Sequence, residues 1–274
     1  MNGLADEIIT MFQYEFMQKA ILVGGIVALC ASLLGVILVL KRYSMIGDGL
    51  SHVGFGALSL AVALNMAPMS VAMPIVVIAA FFLLRLSENG KLKGDSAIAL
   101  ISSSSIALGV IINAASGGTN MDLNSYMFGS VLAMTNSDVY LSLALTVVVL
   151  SLFVIFYNRI FAITFDESFA KATGIHTGFY NTLLAVLTAV TIVVGMRIMG
   201  TMLISSLIIF PALSSMRIFK NFKTVIISSA VVSVICFVAG LIASYIYSMP
   251  TGACIVVTNL IVFILFAVIG KVLE

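Results

Sequence analysis

VGFGALSLAVALNMAPMSVAMPIVVIAAFFLL, residues 53–84, runs for 32 residues without a charge. As a single helix it would be about 48 Å long, against about 30 Å of hydrocarbon in a bilayer, which about 20 residues already cross. The run is therefore two crossings. Asn65–Pro68 is the place for the turn, because proline lacks the N–H a helix needs and pushes the residue before it out of the helical region. The reading gives helices over Ser44–Leu64 and Ala67–Leu84.

Working outward, further uncharged apolar windows fall near Ala20–Leu40, Ala97–Ser116, Val139–Tyr157, Thr177–Met196, Ile198–Met216, Thr224–Met249 and Thr251–Gly270. Together they predict an all-α, polytopic membrane protein with about nine transmembrane helices. Strands of a barrel would alternate apolar with polar residues, and these windows do not. Composition agrees: 62% of the 274 residues are hydrophobic and 9% charged, with a mean hydropathy of +1.23, so the chain's solvent is the lipid bilayer. No linker or low-complexity run divides it, which predicts one membrane domain over residues 1–274.

With the amino terminus outside, eleven basic residues, among them Lys41, Arg42, Arg85, Arg159 and Lys171, fall on one side of the membrane and two, Lys19 and Arg197, on the other. Cytoplasmic loops collect Lys and Arg, so the carboxyl terminus is expected in the cytoplasm of a cell-membrane protein. The net charge of +2 follows from this topology and gives no reason to expect nucleic acid. Residues 1–18, with Asp6, Glu7 and Glu15 among apolar side chains, read as an interfacial helix; a signal peptide would begin with positive charge. Cys30, Cys236 and Cys254 have no disulfide or zinc-cluster spacing.

Two polar insertions stand out. The external one, residues 117–138, is expected to fold back at the outer mouth, with Asp122 and Asp138 either drawing cations or simply solvated. The other, residues 158–177, has the spacing of a capping box at Thr164 and Glu167, with Asp166 between them, Phe165 and Phe169 on one face, Lys171 near the end and Gly174 as a left-handed stop. That predicts a short amphipathic helix on the cytoplasmic side, lying on headgroups or inserted into a groove on another protein.

MIGDGLSHVGFG, residues 45–56, puts Asp48 and His52 four residues apart inside an apolar window. On a helix both point from one face, near enough to touch one ion. Counting helical rise from Arg42 sets them roughly 10 Å and 15 Å inward. Ionisable groups at such depth are costly and mark pathways. A carboxylate with an imidazole favours a divalent transition metal over calcium or magnesium, and only two protein ligands suit passage better than storage. The alternative is structural, with Asp48 an N-cap for a helix starting at Gly49 and His52 bonded to it. His176, at the cytoplasmic border, reads as a capping or snorkelling residue.

Four stretches in order, RYSMIGDGLSHVGFG (42–56), MDLNSYMFGSVLAMT (121–135), FDESFAKATGI (165–175) and MRIMGTMLISSLIIFPALSSM (196–216), resemble the membrane-spanning subunits of bacterial ABC importers for zinc and manganese, the zinc type more closely. The resemblance implies a type II ABC importer-like permease whose metal-passage residues are Asp48 and His52. It also implies an ATPase-coupling helix carrying Thr164, Phe165, Asp166, Glu167, Phe169, Lys171 and Gly174. Its implied partners are a second copy of this chain, a cytoplasmic ATPase subunit and an extracytoplasmic metal-binding protein, with Zn2+ or Mn2+ as cargo and no permanently bound cofactor. No G-x-x-x-x-G-K-[ST] occurs, so ATP hydrolysis would belong to the partner and the chain itself would not be an enzyme. The rival is a proton-coupled metal carrier with His52 as the titrating group.

Overall fold

The structure, a computed structural model, describes residues 10–88, 94–116 and 136–273. Among these there are only helices: α1 (Glu15–Leu40), α2 (Ile46–Ala63), α3 (Pro68–Glu88), α4 (Gly94–Ala115), α5 (Asn136–Ile155), α6 (Tyr157–Phe165), α7 (Glu167–Ala172), α8 (Thr177–Met199), α9 (Thr201–Ile218), α10 (Phe222–Tyr247) and α11 (Thr251–Leu273). The expected turn at residues 117–138 lies outside the described residues up to Thr135, and α1 begins inside the segment expected to lie on the interface.

Every apolar window is a helix, but not every one crosses alone. Among the described residues, seven helices are long and apolar enough to span a bilayer, and an eighth span requires α5 and α6 together, which bend by 74° at Phe156. The ninth window contributes the shorter apolar helix Ser70–Leu83. Nine was thus a count of apolar windows, two of which give helices that fall short of a full span by themselves among the described residues.

Local chemistry sets the breaks. After α2, Asn65 takes φ +53°, its N–H donates to the Val62 carbonyl and that of Met66 to Ala61. This is a Schellman close, with asparagine tolerating the left-handed region, and Pro68 then opens α3 where no N–H is needed. The break between α8 and α9 falls at Gly200, φ +89°, and not at Arg197, which lies in the last turn of α8. Glycine takes that backbone conformation at little cost; arginine would not.

α1 and α8 form the middle of the molecule, each 72% buried along its apolar window, whereas α4 and α11 are 17% buried. Small residues bring the central helices together, as expected where lipid gives no hydrophobic drive for helix association. A Cβ added to Gly35 of α1 would lie 2.0 Å from the Ile208 carbonyl oxygen of α9. Nearer the start of α1, the Ser233 hydroxyl of α10 donates to the Ala28 carbonyl at 2.9 Å.

Candidate functional site

Asp48 lies in the first turn of α2, which starts at Ile46 with Met45 as N-cap and no side-chain cap bond. Asp48 is therefore inside the helix and not its cap, although its charge is well placed against the positive end of the helix dipole. Arg42–Met45 form a turn, so helical rise begins at Ile46 and the pair sits about 3 Å and 9 Å along α2, shallower than a continuous helix from Arg42 would put it. His52 Nε2 stands 3.4 Å from Asp48 Oδ2, with the two side chains 25% and 42% exposed.

The glycines around the pair make α2 thin. A Cβ on Gly47 would come within 3.0 Å of Ile208 on α9, one on Gly49 within 2.6 Å of Ile98 on α4, one on Gly54 within 2.5 Å of Met196 on α8, and one on Gly56 within 2.8 Å of the Ser105 carbonyl on α4. Three helices thus close on the glycines of α2: α8 and α9 with side-chain ends, and α4 with its backbone at Ser105. The side left open holds a cavity of about 520 Å³ between α2, α9 and α11, into which Asp48 faces together with Ser205, Ser206, Met45 and Met202. Both serine hydroxyls donate to carbonyls of their own helix, Thr201 and Leu203. Their oxygens keep acceptor capacity for a hydrated cation. Among the described residues no group of three or more His, Cys, Asp or Glu could hold a metal ion, and the ionisable groups described at this place are Asp48 and His52.

Residues 158–177 differ from the capping-box reading. Thr164 is buried within α6 and its hydroxyl donates to the Ile160 carbonyl, so it cannot cap α7. The cap is Asp166, whose carboxylate accepts the Phe169 N–H at 2.9 Å. Phe165 and Phe169 belong to different helices; Phe165 packs against Phe161 and Phe222, while Phe169 is 62% exposed. Gly174 has φ +84°, and the bonds Gly174 N–H to Lys171 and Ile175 N–H to Ala170 close α7 as a Schellman motif. Beneath α6 and α7 a small apolar core of Ile163, Ala170 and Tyr180 fixes both against the start of α8. His176 is the backbone N-cap of α8 and makes no side-chain cap bond.

Glu167 lies on the inward side of α7, where the Asn181 amide donates to it at 3.3 Å and Lys171 and Lys41 stand at 3.3 Å and 3.7 Å. Lys41 donates to Asn181 Oδ1 at 2.5 Å. Burial alone would raise the Glu167 carboxyl, but the Asn181 amide, Lys41 and Lys171 outweigh it and hold it below its ordinary value. The sequence reading treated Lys41 only as a topological charge and Asn181 as part of an apolar window. The available signal was Asn181 itself, an amide in the second turn of a span.

Residues 13–270 match the model of the ABC 3 transport family. The chain belongs to that family. Among relatives, it is 31% identical over 95% of its length to an uncharacterised membrane protein of Cyanophora paradoxa, covering 88% of that protein. It is 29% identical over 93% of its length to the manganese import system permease protein ScaB of Streptococcus gordonii, covering 91% of it. It is also 27% identical over 92% of its length to the high-affinity zinc uptake system membrane protein ZnuB of Haemophilus influenzae, covering 97% of it. The solved structure of PsaBC from Streptococcus pneumoniae in complex with Fab superposes with a TM-score of 0.84 at 29% identity, covering 96% of this chain and 94% of that one. An inward-facing putative metal-chelate type ABC transporter shares the fold, with a TM-score of 0.65 at 17% identity and coverage of 94% and 83%. As an ABC 3 member the chain is a multi-pass permease subunit, the all-α importer architecture read from its sequence, and ATP hydrolysis belongs to a separate subunit.

Proposed function

We propose that this permease carries a divalent transition metal inward, zinc foremost and manganese as the alternative, with Asp48 and His52 as the passage ligands. The observation that carries the reading is the Asp48–His52 pair, 3.4 Å apart, with Asp48 in the wall of a cavity between α2, α9 and α11. Two protein donors hold a dication weakly enough to release it, and a cation arriving with part of its water shell finds hydroxyl acceptors at Ser205 and Ser206. In a homodimer the open side of α2 and the exposed α11 would face a second copy, which would bring a second Asp–His pair. An extracytoplasmic metal-binding protein delivers the ion, and a cytoplasmic ATPase docks on α7 and its flanks, Thr164 to Gly174. The exposed Phe169 is an anchor of the kind that enters a groove. The basic-residue asymmetry supports an amino terminus outside and a carboxyl terminus in the cytoplasm of a bacterial cell.

Zinc is favoured over manganese by the wording of residues 121–135 and 196–216, while relatives of both kinds match the chain. The test is radiometal uptake in proteoliposomes containing the chain, its co-purifying ATPase and binding protein. Asp48→Ala and His52→Ala should each reduce 65Zn uptake to background while the ATPase still co-purifies. Undiminished uptake in either variant overturns the pair's role, and saturable 54Mn uptake that zinc cannot compete with makes manganese the cargo.

A further inference from the structure

Lys41 is an unusual lysine. It is the C-cap of α1, yet its side chain is only 12% exposed and lies against α7 and α8 instead of reaching for water. Lysine favours burial only when its ammonium finds partners. Here they are the Asn181 carbonyl oxygen at 2.5 Å and the Glu167 carboxylate at 3.7 Å, and Asn181 in turn donates to Glu167 at 3.3 Å. The three groups close a triangle joining the end of α1, the start of α8 and α7. Removing one corner takes a partner from each of the other two, which ties the three positions together energetically.

From Lys41 the route to α2 is short and stiff. The N–H groups of Arg42 and Tyr43 donate back to Val39 and Leu38, and Arg42 is held at φ +63°, a left-handed position that a residue with a Cβ adopts at a cost. Tyr43 then accepts the Ile46 N–H, which ties the turn to the start of α2, with Asp48 two residues on. A second route runs along α8, from Asn181 near its start to Met196 near its end, which packs on Gly54 of α2. Both routes end on the helix that carries the Asp48–His52 pair.

We propose that Lys41, Glu167 and Asn181 form a latch that transmits displacement of α7 to the turn heading α2, and so to Asp48 and His52. The inference rests on the reading of α7 as the ATPase-docking helix. Lys41 and Asn181 are then positioning residues: they touch neither metal nor ATPase, and their loss separates ATP hydrolysis from transport without dissolving the complex.

The test uses the full transporter in proteoliposomes, with Zn2+ and Mn2+ each as the probe, and reads metal taken up per ATP hydrolysed. Lys41→Met should keep the ATPase at wild-type stoichiometry and lower the ratio at least tenfold. Lys41→Arg should recover most of it. Asn181→Ala removes the nearest acceptor of Lys41 and one donor to Glu167 without changing any residue of α7 or of the α1–α2 turn. It should uncouple in the same way, and it decides the matter should Lys41→Met fail to assemble. The double variant should be no worse than the more severe single one. A ratio within twofold of wild type in the assembled single variants, or multiplicative effects in the double variant, overturns the latch alone. Absence of ATP-driven uptake by the wild-type complex overturns the underlying reading, and the latch with it.

Discussion

Gly25 and Gly35 sit ten residues apart on the same buried helix, and adding one methyl group to each should have opposite effects. At Gly35 the new Cβ would lie 2.0 Å from the Ile208 carbonyl oxygen, a backbone atom that cannot rotate away, so α1 and α9 must separate by at least about 1 Å to reach tolerable contact. Overpacking of this kind costs up to about 3 kcal/mol, against which alanine recovers up to about 1 kcal/mol of helix propensity, leaving a net loss of about 2 kcal/mol. At Gly25 a Cβ meets nothing within 4 Å, and only the gain of up to about 1 kcal/mol remains. The variants should therefore differ by about 3 kcal/mol, or roughly 6–12 °C in melting temperature for a chain of this size. The chain has no tryptophan to report unfolding. It does have Cys30 and Cys236 buried, so a thiol-reactive fluorogenic dye in detergent reports it directly. If Gly35→Ala melts at or above Gly25→Ala, α1 and α9 do not meet at backbone distance. Because α9 also supplies Ser205 and Ser206 to the wall facing Asp48, Gly35→Ala should lower transport as well as stability.

Asp166→Ala should cost about 1 kcal/mol of α7 stability and speed hydrogen exchange of the Phe169 amide, whereas Thr164→Val should leave that amide unchanged; the reverse pattern would restore the capping box. Glu167 also makes stability depend on pH. Its native carboxyl titrates below the ordinary value of 4.5, so its stabilising contribution is complete above about pH 4.5 and is lost as pH falls through the native value. Thermal melts should therefore drop on acidification below pH 4.5, and the Glu167-dependent part of that drop, read against Glu167→Gln, should shrink in Lys41→Met; an unchanged part would mean that Lys41 does not act on Glu167.

The helices were legible because hydrocarbon demands long uncharged runs and the chain supplies them, down to the turn at Asn65–Pro68. The break near Phe156 was marked by Asn158 and Arg159, which end the apolar window at Tyr157, but the 74° angle between α5 and α6 was not legible, because it depends on contacts outside the segment. Thr164 and Asp166 both precede α7 and both can cap a helix. Only the continuation of α6 through Phe165 decides between them, by committing the threonine hydroxyl to Ile160. The adjacency of Asp48 and His52 followed from helical spacing alone. Their depth did not, because it depends on the non-helical turn Arg42–Met45. The Lys41–Glu167–Asn181 triangle joins residues 126 and 14 positions apart in the chain, and no local pattern announces it.

α1 and α11 have nearly the same mean hydropathy, 2.7 and 2.8, yet their windows are 72% and 17% buried, and α4 is as open as α11. Equal hydropathy thus covers two different surroundings, this chain's own helices for one helix and the outer surface of the bundle for the others. A change in bilayer thickness barely reaches α1 but tilts or shifts a helix bathed in lipid. α4, on the outer surface, would be such a helix wherever it meets lipid, and it lies against the Asp48–His52 helix through the Ile98 side chain at Gly49 and at backbone distance at the Gly56–Gly109 crossing. Lipid chain length should therefore tune the permease through α4, with the membrane acting as a further input to transport beside the metal and the nucleotide.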